Sequence, residues 1–472
     1  MSGPATPEPV EFLVLGAGPA GHKAAIQAAK AGKRVLIVDR DPSAGGECVQ
    51  RGTIPSKTLR ESASYLLGLR ARSEGVIDVT VPARASVAGL MRRLKAVRAS
   101  HGRYLDQQLE RNQVERLRGR ARFLSSNLVE IRSPDRSVRV VCAERIVIAT
   151  GSRPRRPDNV PVDHEHVLDS DSILALIYLP ASLTVLGAGV IACEFASIFA
   201  ALGTKVTLVD AAPRPLAFLD PELTAQYVAA FERMGGTFLP GKKVERVLWD
   251  GTEVVTHLAS GEELRAEKCL CAQGRVANVA DLGLEAAGLA LSARGHIPVD
   301  ANMRTAALHV YAAGDVVGPP ALAATAVEQG RRAARHALGM ELTAAHEIVP
   351  TGIYTIPEIA SVGLSEEQAC TRFGSALVGR ARFDELARAH INGQTDGLLK
   401  LIADPSGKLV GAHVVGEAAT ELVHVAQMAL VGGLTLEAFV DNVFNFPTMA
   451  EAYRVAAIDA VAKMNAPRRQ TA

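Results

Sequence analysis

Apolar positions in this chain gather in short runs, each closed by glycine and followed by a helical pattern. Residues 12–15 form one such run. Gly16-Ala17-Gly18-Pro19-Ala20-Gly21 follows, and a helical pattern then continues to about Ala31 and stops at Gly32. Residues 35–38 are apolar again and end in Asp39. Runs of this length predict buried strands, and their alternation with helical segments predicts parallel sheets. The order recurs further along. An apolar run at 183–186 leads into Gly187-Ala188-Gly189-Val190-Ile191-Ala192, then a helical stretch through Phe195 and Phe199, then Gly203, a run at 206–209, and Asp210. Gly16 stands as far from Asp39 as Gly187 stands from Asp210.

Each repeat has the layout of a dinucleotide fingerprint. Gly16 permits a tight turn, Gly18 lets the backbone approach a pyrophosphate, and Gly21 lets helix and strand pack closely. The helix N-terminus offers N–H groups and a positive dipole end to phosphates. Asp39 stands where an acid binds ribose hydroxyls. In the second unit Ala192 replaces the third glycine, which the fingerprint permits. Asp210 suits the 2′-hydroxyl of NAD, whereas Arg214 in the next loop suits the 2′-phosphate of NADP.

The pattern changes after residue 346. Leu398–Ala403 and Leu409–Val415 read as a hairpin around Asp404-Pro405-Ser406-Gly407, with helices expected at 417–431 and 450–464. The fold class is therefore α/β: two doubly wound Rossmann-like domains plus a C-terminal α+β domain. Length agrees, since 472 residues at roughly 100–200 per domain give about three domains. The net charge of +2 is spread along the chain and gives no reason to invoke nucleic acid or a charged membrane. Residues 1–11 are Pro-rich, without the basic and apolar regions of a signal peptide, and read as a disordered arm. Between 173 and 203 the only charge is Glu194. Pro180, Gly187 and Gly189 interrupt that stretch, so it reads as loop, buried strand and buried helix, not as a membrane span. The six cysteines show no metal spacing, and no metal site is expected. With no secretion signal they predict a reducing, cytoplasmic setting without a disulfide framework. Cys269 and Cys271 flank Leu270 and are expected to share one face of a strand.

The segment from Gly45-Gly46-Glu47-Cys48 to Gly52-Thr53-Ile54-Pro55-Ser56-Lys57 resembles the redox-active segment of the pyridine nucleotide–disulfide oxidoreductases. Ala149-Thr150-Gly151-Ser152-Arg153-Pro154, Gly274-Arg275 with Asn278, Tyr311-Ala312-Ala313-Gly314-Asp315 and Tyr354-Thr355-Ile356-Pro357-Glu358 resemble further segments of that family. The resemblance covers roughly residues 10 to 465. It implies FAD on the first fingerprint and exchangeable NAD(H) or NADP(H) on the second. It implies an FAD-binding domain at 1–155 and 276–345, an NAD(P)-binding domain at 156–275, and an interface domain at 346–472 that forms a homodimer or higher oligomer. It places Asp315 at the flavin ribityl and phosphate region, and Lys57 near flavin N5, paired with Glu194. A buried charge needs such a partner, and a cation near N5 favours reduced flavin. It adds Pro19, Ala20, Arg40, Gly46, Thr150, Gly151, Val190, Ile191, Gly274, Arg275, Gly314, Ala323 and Thr325 to the cofactor-binding set.

Two departures shape the expected function. The disulfide reductases of this family carry a second cysteine where this chain has Thr53, and a histidine where it has Phe446. A threonine forms no disulfide and a phenylalanine exchanges no proton. A flavin and a nicotinamide site remain, and hydride exchange needs neither thiol pair nor base. Gly52–Lys57, Gly187–Ile191 with Glu194, residues 386–389 and Pro447–Arg454 resemble the soluble pyridine nucleotide transhydrogenases, which are Si-specific NAD(P)+ enzymes. The expected activity is hydride transfer between NADPH and NAD+ through FAD, with Lys57, Glu194, Cys48, Thr53 and Glu451 as the catalytic set. The resemblance places Phe446 and Glu451 near the partner's flavin. The same residues would serve a diaphorase or quinone reductase, and a silent nucleotide-binding redox sensor is the third reading. Cys48 reads as a retained buried thiol, with Arg51 as the candidate for lowering its pKa.

Overall fold

The structure is a computed structural model that describes residues 7–72, 86–343 and 348–465. It divides into two compact units. The first comprises Met1–Thr58, Met91–Arg155 and Gly274–Ala345; the second comprises Leu59–Leu90, Arg156–Gln273 and His346–Ala472.

The first unit is built on a seven-stranded sheet. Its parallel part runs Glu115–Arg118, Val35–Asp39, Glu8–Leu15, Val138–Ile148, with Val310–Ala312 also paired to Val138–Ile148. Leu128–Arg132 and Arg120–Phe123 extend it antiparallel. Phe12, Leu13, Val14 and Leu15 are fully buried, as strands covered on both faces must be. Leu15 stands opposite Val38 on one side and Ile148 on the other, so Gly16 leaves the sheet at the carboxyl end of a central strand. The expected disordered arm 1–11 is overturned at its C-terminal end, where the chain is strand, and its residues 1–6 lie outside the described residues. The strand begins at Glu8, pairs with Val141, and gains its second neighbour only at Phe12. Pro9 thus lies where one side of the strand is open, which a residue without an N–H tolerates. Helix Pro19–Lys30 packs on helix Ala323–Ala337. Gly330 makes the approach possible, since a Cβ there would fall 2.0 Å from the Ala20 carbonyl oxygen.

The second unit holds a five-stranded parallel sheet in the order Thr237–Leu239, Lys205–Val209, Ser182–Leu186, Lys268–Cys271, Val167–Leu168. Cys269 and Cys271 share one core cluster with Val254 and Leu258, while Leu270 points to the cluster that holds Leu183 and Phe195. A three-stranded antiparallel sheet, Val244–Trp249, Val254–Leu258 and Glu263–Ala266, adjoins it. The stretch 173–203 contains the strand Ser182–Leu186 and the buried helix Val190–Ala201. Among the described residues no helix is long and apolar enough to cross a membrane.

The same unit carries a five-stranded antiparallel sheet ordered Thr351–Ile353, Ile359–Gly363, Leu409–Val415, Leu398–Ala403, Leu377–Arg382. The expected hairpin is present with its predicted strand limits. Helices Ala419–Val431 and Glu451–Asn465 cover the sheet, and Tyr453, fully buried, donates to the Leu422 carbonyl at 2.5 Å.

Candidate functional site

Both glycine loops take the conformation their sequence requires. Gly16 has φ +106° and Gly187 has φ +99°, in the left-handed region. A Cβ at Gly16 would meet the Ala149 carbonyl oxygen at 2.3 Å, and one at Gly187 would meet that of Ala272 at 2.8 Å. A Cβ at Gly21 would fall 1.9 Å from the Gly16 carbonyl oxygen. These three glycines are dictated by the fold.

Gly18 and Gly189 are different. Their φ values of −69° and −78° suit any residue. A Cβ at Gly18 would have its nearest neighbour at 3.9 Å, and one at Gly189 would meet nothing within 4 Å. Among the described residues nothing demands glycine at these two positions. A group that approaches the backbone closely does. Helices Pro19–Lys30 and Val190–Ala201, which begin here, have no side-chain cap and no acid in the first turn. Helix Pro221–Arg233, by contrast, is capped by Asp220, and helix Glu366–Phe373 by Ser365 in a capping box. Two N-termini left open beside unrequired glycines fit a pyrophosphate each.

The terminal acids of the two repeats act alike. Asp39 accepts from the backbone N–H of Ala17 at 2.5 Å and of Asp41 at 2.8 Å. Asp210 accepts from Ala188 at 2.6 Å and from Ala212 at 2.6 Å. Each carboxylate therefore ties its glycine loop to the following loop, and lone pairs remain for ribose hydroxyls. Burial pushes the Asp39 carboxyl up, against the two N–H donors that favour its ionised form.

In the first unit a chain of polar contacts borders the glycine loop. Gly46 lies against Gly18, whose Cα would be 2.7 Å from a Cβ at Gly46. Next to it, Glu47 is 3.4 Å from the Arg275 guanidinium, 3.1 Å from Arg51 and 4.0 Å from Arg40. Arg275 donates to the Ser152 hydroxyl at 2.7 Å and to the Ser152 carbonyl at 2.9 Å. The Ser152 hydroxyl donates to Asp315 at 2.5 Å. Gly314 adjoins Ala20 and donates its N–H to Gln329. Thr150 and Asn278 exchange hydrogen bonds of 2.8 and 3.0 Å, Gly151 takes φ +70°, and the Gly274 carbonyl accepts from Arg155. Thr325 turns its hydroxyl to the carbonyls of Pro320 and Leu322, at the start of helix Ala323–Ala337. Sequence reasoning missed Glu47, Ser152, Gln329 and Gly330. Ser152 stands inside a recognisable segment, and a glycine inside a helix is itself a packing signal.

Cys48 is a free thiol on the short helix Gly46–Gln50, and Thr53 opens helix Thr53–Arg72. Burial pushes the thiol up, opposed by a side-chain hydrogen bond from Thr53 and by the charge of Lys57. Arg51 is not the group that acts on it. Its guanidinium is held by Asp41 at 2.7 Å and Glu47 at 3.1 Å. Lys57 Nζ reaches the Ser56 hydroxyl at 3.5 Å.

In the second unit Glu194 is 4% exposed and accepts from the backbone N–H of Tyr354 at 2.9 Å. Val190 and Ile191 form the first turn of its helix. Arg214 lies in the loop after Asp210. It donates to the carbonyls of Leu219 at 2.7 Å and Ala217 at 2.6 Å, which close the loop on itself. Glu451 accepts from the Thr448 N–H at 3.2 Å at the start of its helix, and Phe446 is 69% exposed. Among the described residues no group of three or more His, Cys, Asp or Glu is arranged to hold a metal ion.

Comparison with known proteins agrees with this geometry. The family described as pyridine nucleotide-disulphide oxidoreductase matches residues 10–330, and its dimerisation domain matches residues 349–457. A protein of Mycobacterium bovis named soluble pyridine nucleotide transhydrogenase is 44% identical over 97% of this chain and 98% of its own length. One of the same name from Colwellia psychrerythraea is 41% identical over 96% of this chain and 98% of its own. The crystal structure of LpdA from Mycobacterium tuberculosis matches with TM-score 0.88 and 28% identity, over 95% of this chain and 99% of that one. The HOCl-induced flavoprotein disulfide reductase RclA from Escherichia coli, as its Cu(II) complex, matches with TM-score 0.87 and 26% identity, over 96% and 99%. With two open glycine loops, full-length relatives and both parts of the family matched in order, this chain belongs to the pyridine nucleotide-disulphide oxidoreductase family.

Proposed function

We propose that this chain is a FAD-dependent NAD(P)+ transhydrogenase, exchanging NADPH + NAD+ with NADP+ + NADH. What carries the reading is Thr53, which by resemblance stands at the second cysteine position of the reductases and whose side chain acts on the Cys48 thiol. The names of the relatives at 41–44% identity support the same reading. FAD supplies a hydride acceptor and donor between the two nucleotides.

The chain's own residues supply binding and orientation. Gly18 and the open N-terminus of helix Pro19–Lys30 receive the FAD pyrophosphate. Asp315 takes the ribityl region, held by Ser152 and Arg275. Gly189 and helix Val190–Ala201 receive the pyrophosphate of NAD(H) or NADP(H) in turn. Lys57 serves as the cation that favours reduced flavin. The FAD domain is read as 1–155 and 276–345, and the nucleotide domain as 156–275. The stereochemistry is read as Si-specific, like that of the resembled enzymes, and the setting as cytoplasmic. A homodimer fits the dimerisation domain at 349–457 and the exposed apolar stripe of Val425, Met428 and Val431 on helix Ala419–Val431.

Anaerobic stopped-flow tests the proposal. NADPH is expected to bleach the flavin absorbance, and NAD+ or its thio-analogue to restore it. Reoxidation by quinones but not by NAD+ would move the assignment to a diaphorase. Turnover of a disulfide substrate would sink it.

A further inference from the structure

We propose that Lys400 is a positioning residue for the second dinucleotide site, acting through Asp220 and the loop 211–219. This rests on the reading that the second glycine loop takes a nicotinamide nucleotide. Lys400 lies on the inner strand Leu398–Ala403 and its side chain is 3% exposed. Its ammonium meets Asp220 at 2.9 Å, Glu222 at 2.8 Å and Glu366 at 2.6 Å. Arg380 holds Glu222 and Glu366 from the other side, at 2.8 and 3.2 Å. Within this cluster Lys400 and Asp220 are buried, whereas Glu222, Glu366 and Arg380 are partly exposed; a buried pair of this kind is a poor device for stability alone, because apolar residues of similar volume often do as well. A fixed position is what it supplies.

Asp220 is held at both oxygens. One accepts from Lys400, and the other caps helix Pro221–Arg233 through the Glu222 N–H at 3.0 Å. One residue earlier, the Leu219 carbonyl accepts from Arg214, whose other nitrogen holds Ala217. The Leu219 N–H donates to the Leu216 carbonyl at 2.9 Å. Leu216 is buried with φ +48°, a conformation a leucine keeps only where its surroundings hold it. Its N–H donates to the Ala188 carbonyl at 2.9 Å, and the Ala188 N–H donates to Asp210 at 2.6 Å. Ala188 is the middle residue of the glycine loop. A continuous series of hydrogen bonds and single chain steps thus joins Lys400 to the loop that receives the pyrophosphate. It makes Arg214 a strut of this loop.

Calorimetric binding of NAD+ and of NADP+ to the full-length holoprotein tests this, with three variants. Asp220→Asn keeps a good helix cap but loses the charge that meets Lys400. Lys400→Met removes the ammonium. Glu366→Gln weakens the cluster without touching Asp220. We expect the first two to weaken both nucleotides by roughly tenfold, with the limiting rate of flavin reduction changed by less than about twofold. Glu366→Gln is expected to bind as the wild type does. Equal binding by Asp220→Asn, Glu366→Gln and the wild type overturns the inference, even if the melting temperature falls. Should Lys400→Met fail to fold, the Asp220→Asn and Glu366→Gln pair decides. A wild type that binds neither nucleotide overturns the proposed function itself.

Discussion

The Thr53 side chain acts on the Cys48 thiol, opposing with the charge of Lys57 the burial that pushes that thiol up. The two side chains are thus neighbours, and only one of them carries a sulfur. Thr53→Cys should restore the missing half. Oxidised Thr53→Cys protein is expected to form a disulfide between Cys48 and the introduced thiol. Under denaturing conditions it should then titrate one thiol fewer than the wild type, which has six free cysteines, although it carries one cysteine more. An unbridged variant would show that the two side chains are not placed as described.

Burial pushes the Cys48 thiol above its ordinary value. At neutral pH it is therefore a neutral, weakly reactive group. Cys48→Ala is expected to keep transhydrogenase turnover within about twofold of the wild type. Alkylation of Cys48 in the folded protein should accelerate only as the pH rises past the usual thiol range. A loss of turnover by orders of magnitude in Cys48→Ala would make the thiol catalytic.

Gly18 and Gly189 separate ligand demands from fold demands. Gly189→Ala finds ordinary φ and open space, so its cost to stability should not exceed ~1 kcal/mol, the scale of a changed N-cap. Its cost in nucleotide affinity should be roughly tenfold or more, because the methyl occupies the approach to the pyrophosphate. Gly187→Ala, with the Ala272 carbonyl 2.8 Å from the new Cβ, should destabilise the protein outright. Melting temperature and nucleotide titration on the two variants give the comparison. Equal stability loss in both would remove the case for a ligand at Gly189.

The glycine loops, the hairpin and the alternation of buried strands were legible in the sequence because each is governed by local periodicity or backbone sterics. Even the shared face of Cys269 and Cys271 followed from strand alternation. For the candidate site, the sequence points only to residues that stand inside their own motif. Asp315 and Lys57 stand inside recognisable segments. Glu47 and Gln329 take their roles from contacts made across the first unit, to Arg275 and to the Gly314 N–H, and no periodicity announces those. Lys400 was invisible for the same reason: its partners stand at 220, 222 and 366. Pro9 misled in the other direction, since proline suggests an arm until its open strand edge is seen.

The charge cluster also predicts a pH dependence. Arg380 and, less strongly, Lys400 hold the Glu222 carboxyl down at about 2, against its ordinary 4.5. A carboxyl depressed in the folded state contributes stability above its unfolded value and loses it as the pH falls through the folded one. The window is therefore pH 4.5 down to about 2. Thermal melts across it should fall more steeply for the wild type than for Glu222→Gln, which has no proton to gain there. Parallel curves would mean that the carboxylate is not held as described.

Arg214 gives the sharpest test of how the second site treats its two nucleotides. An arginine that pairs with a 2′-phosphate would, when removed, weaken NADPH and leave NADH alone. Here the guanidinium closes the loop on the carbonyls of Ala217 and Leu219, so its loss should loosen the whole loop after Asp210. Arg214→Gln is expected to raise KM for NADH and NADPH by similar factors, within about threefold of one another, since a difference of that size is only about 0.6 kcal/mol. Steady-state kinetics with each nucleotide in turn decides it. A selective loss of NADPH would return Arg214 to the role its sequence position suggested. It would also mean that the loop opens when the 2′-phosphate arrives, because both guanidinium nitrogens that now hold carbonyls would have to be released.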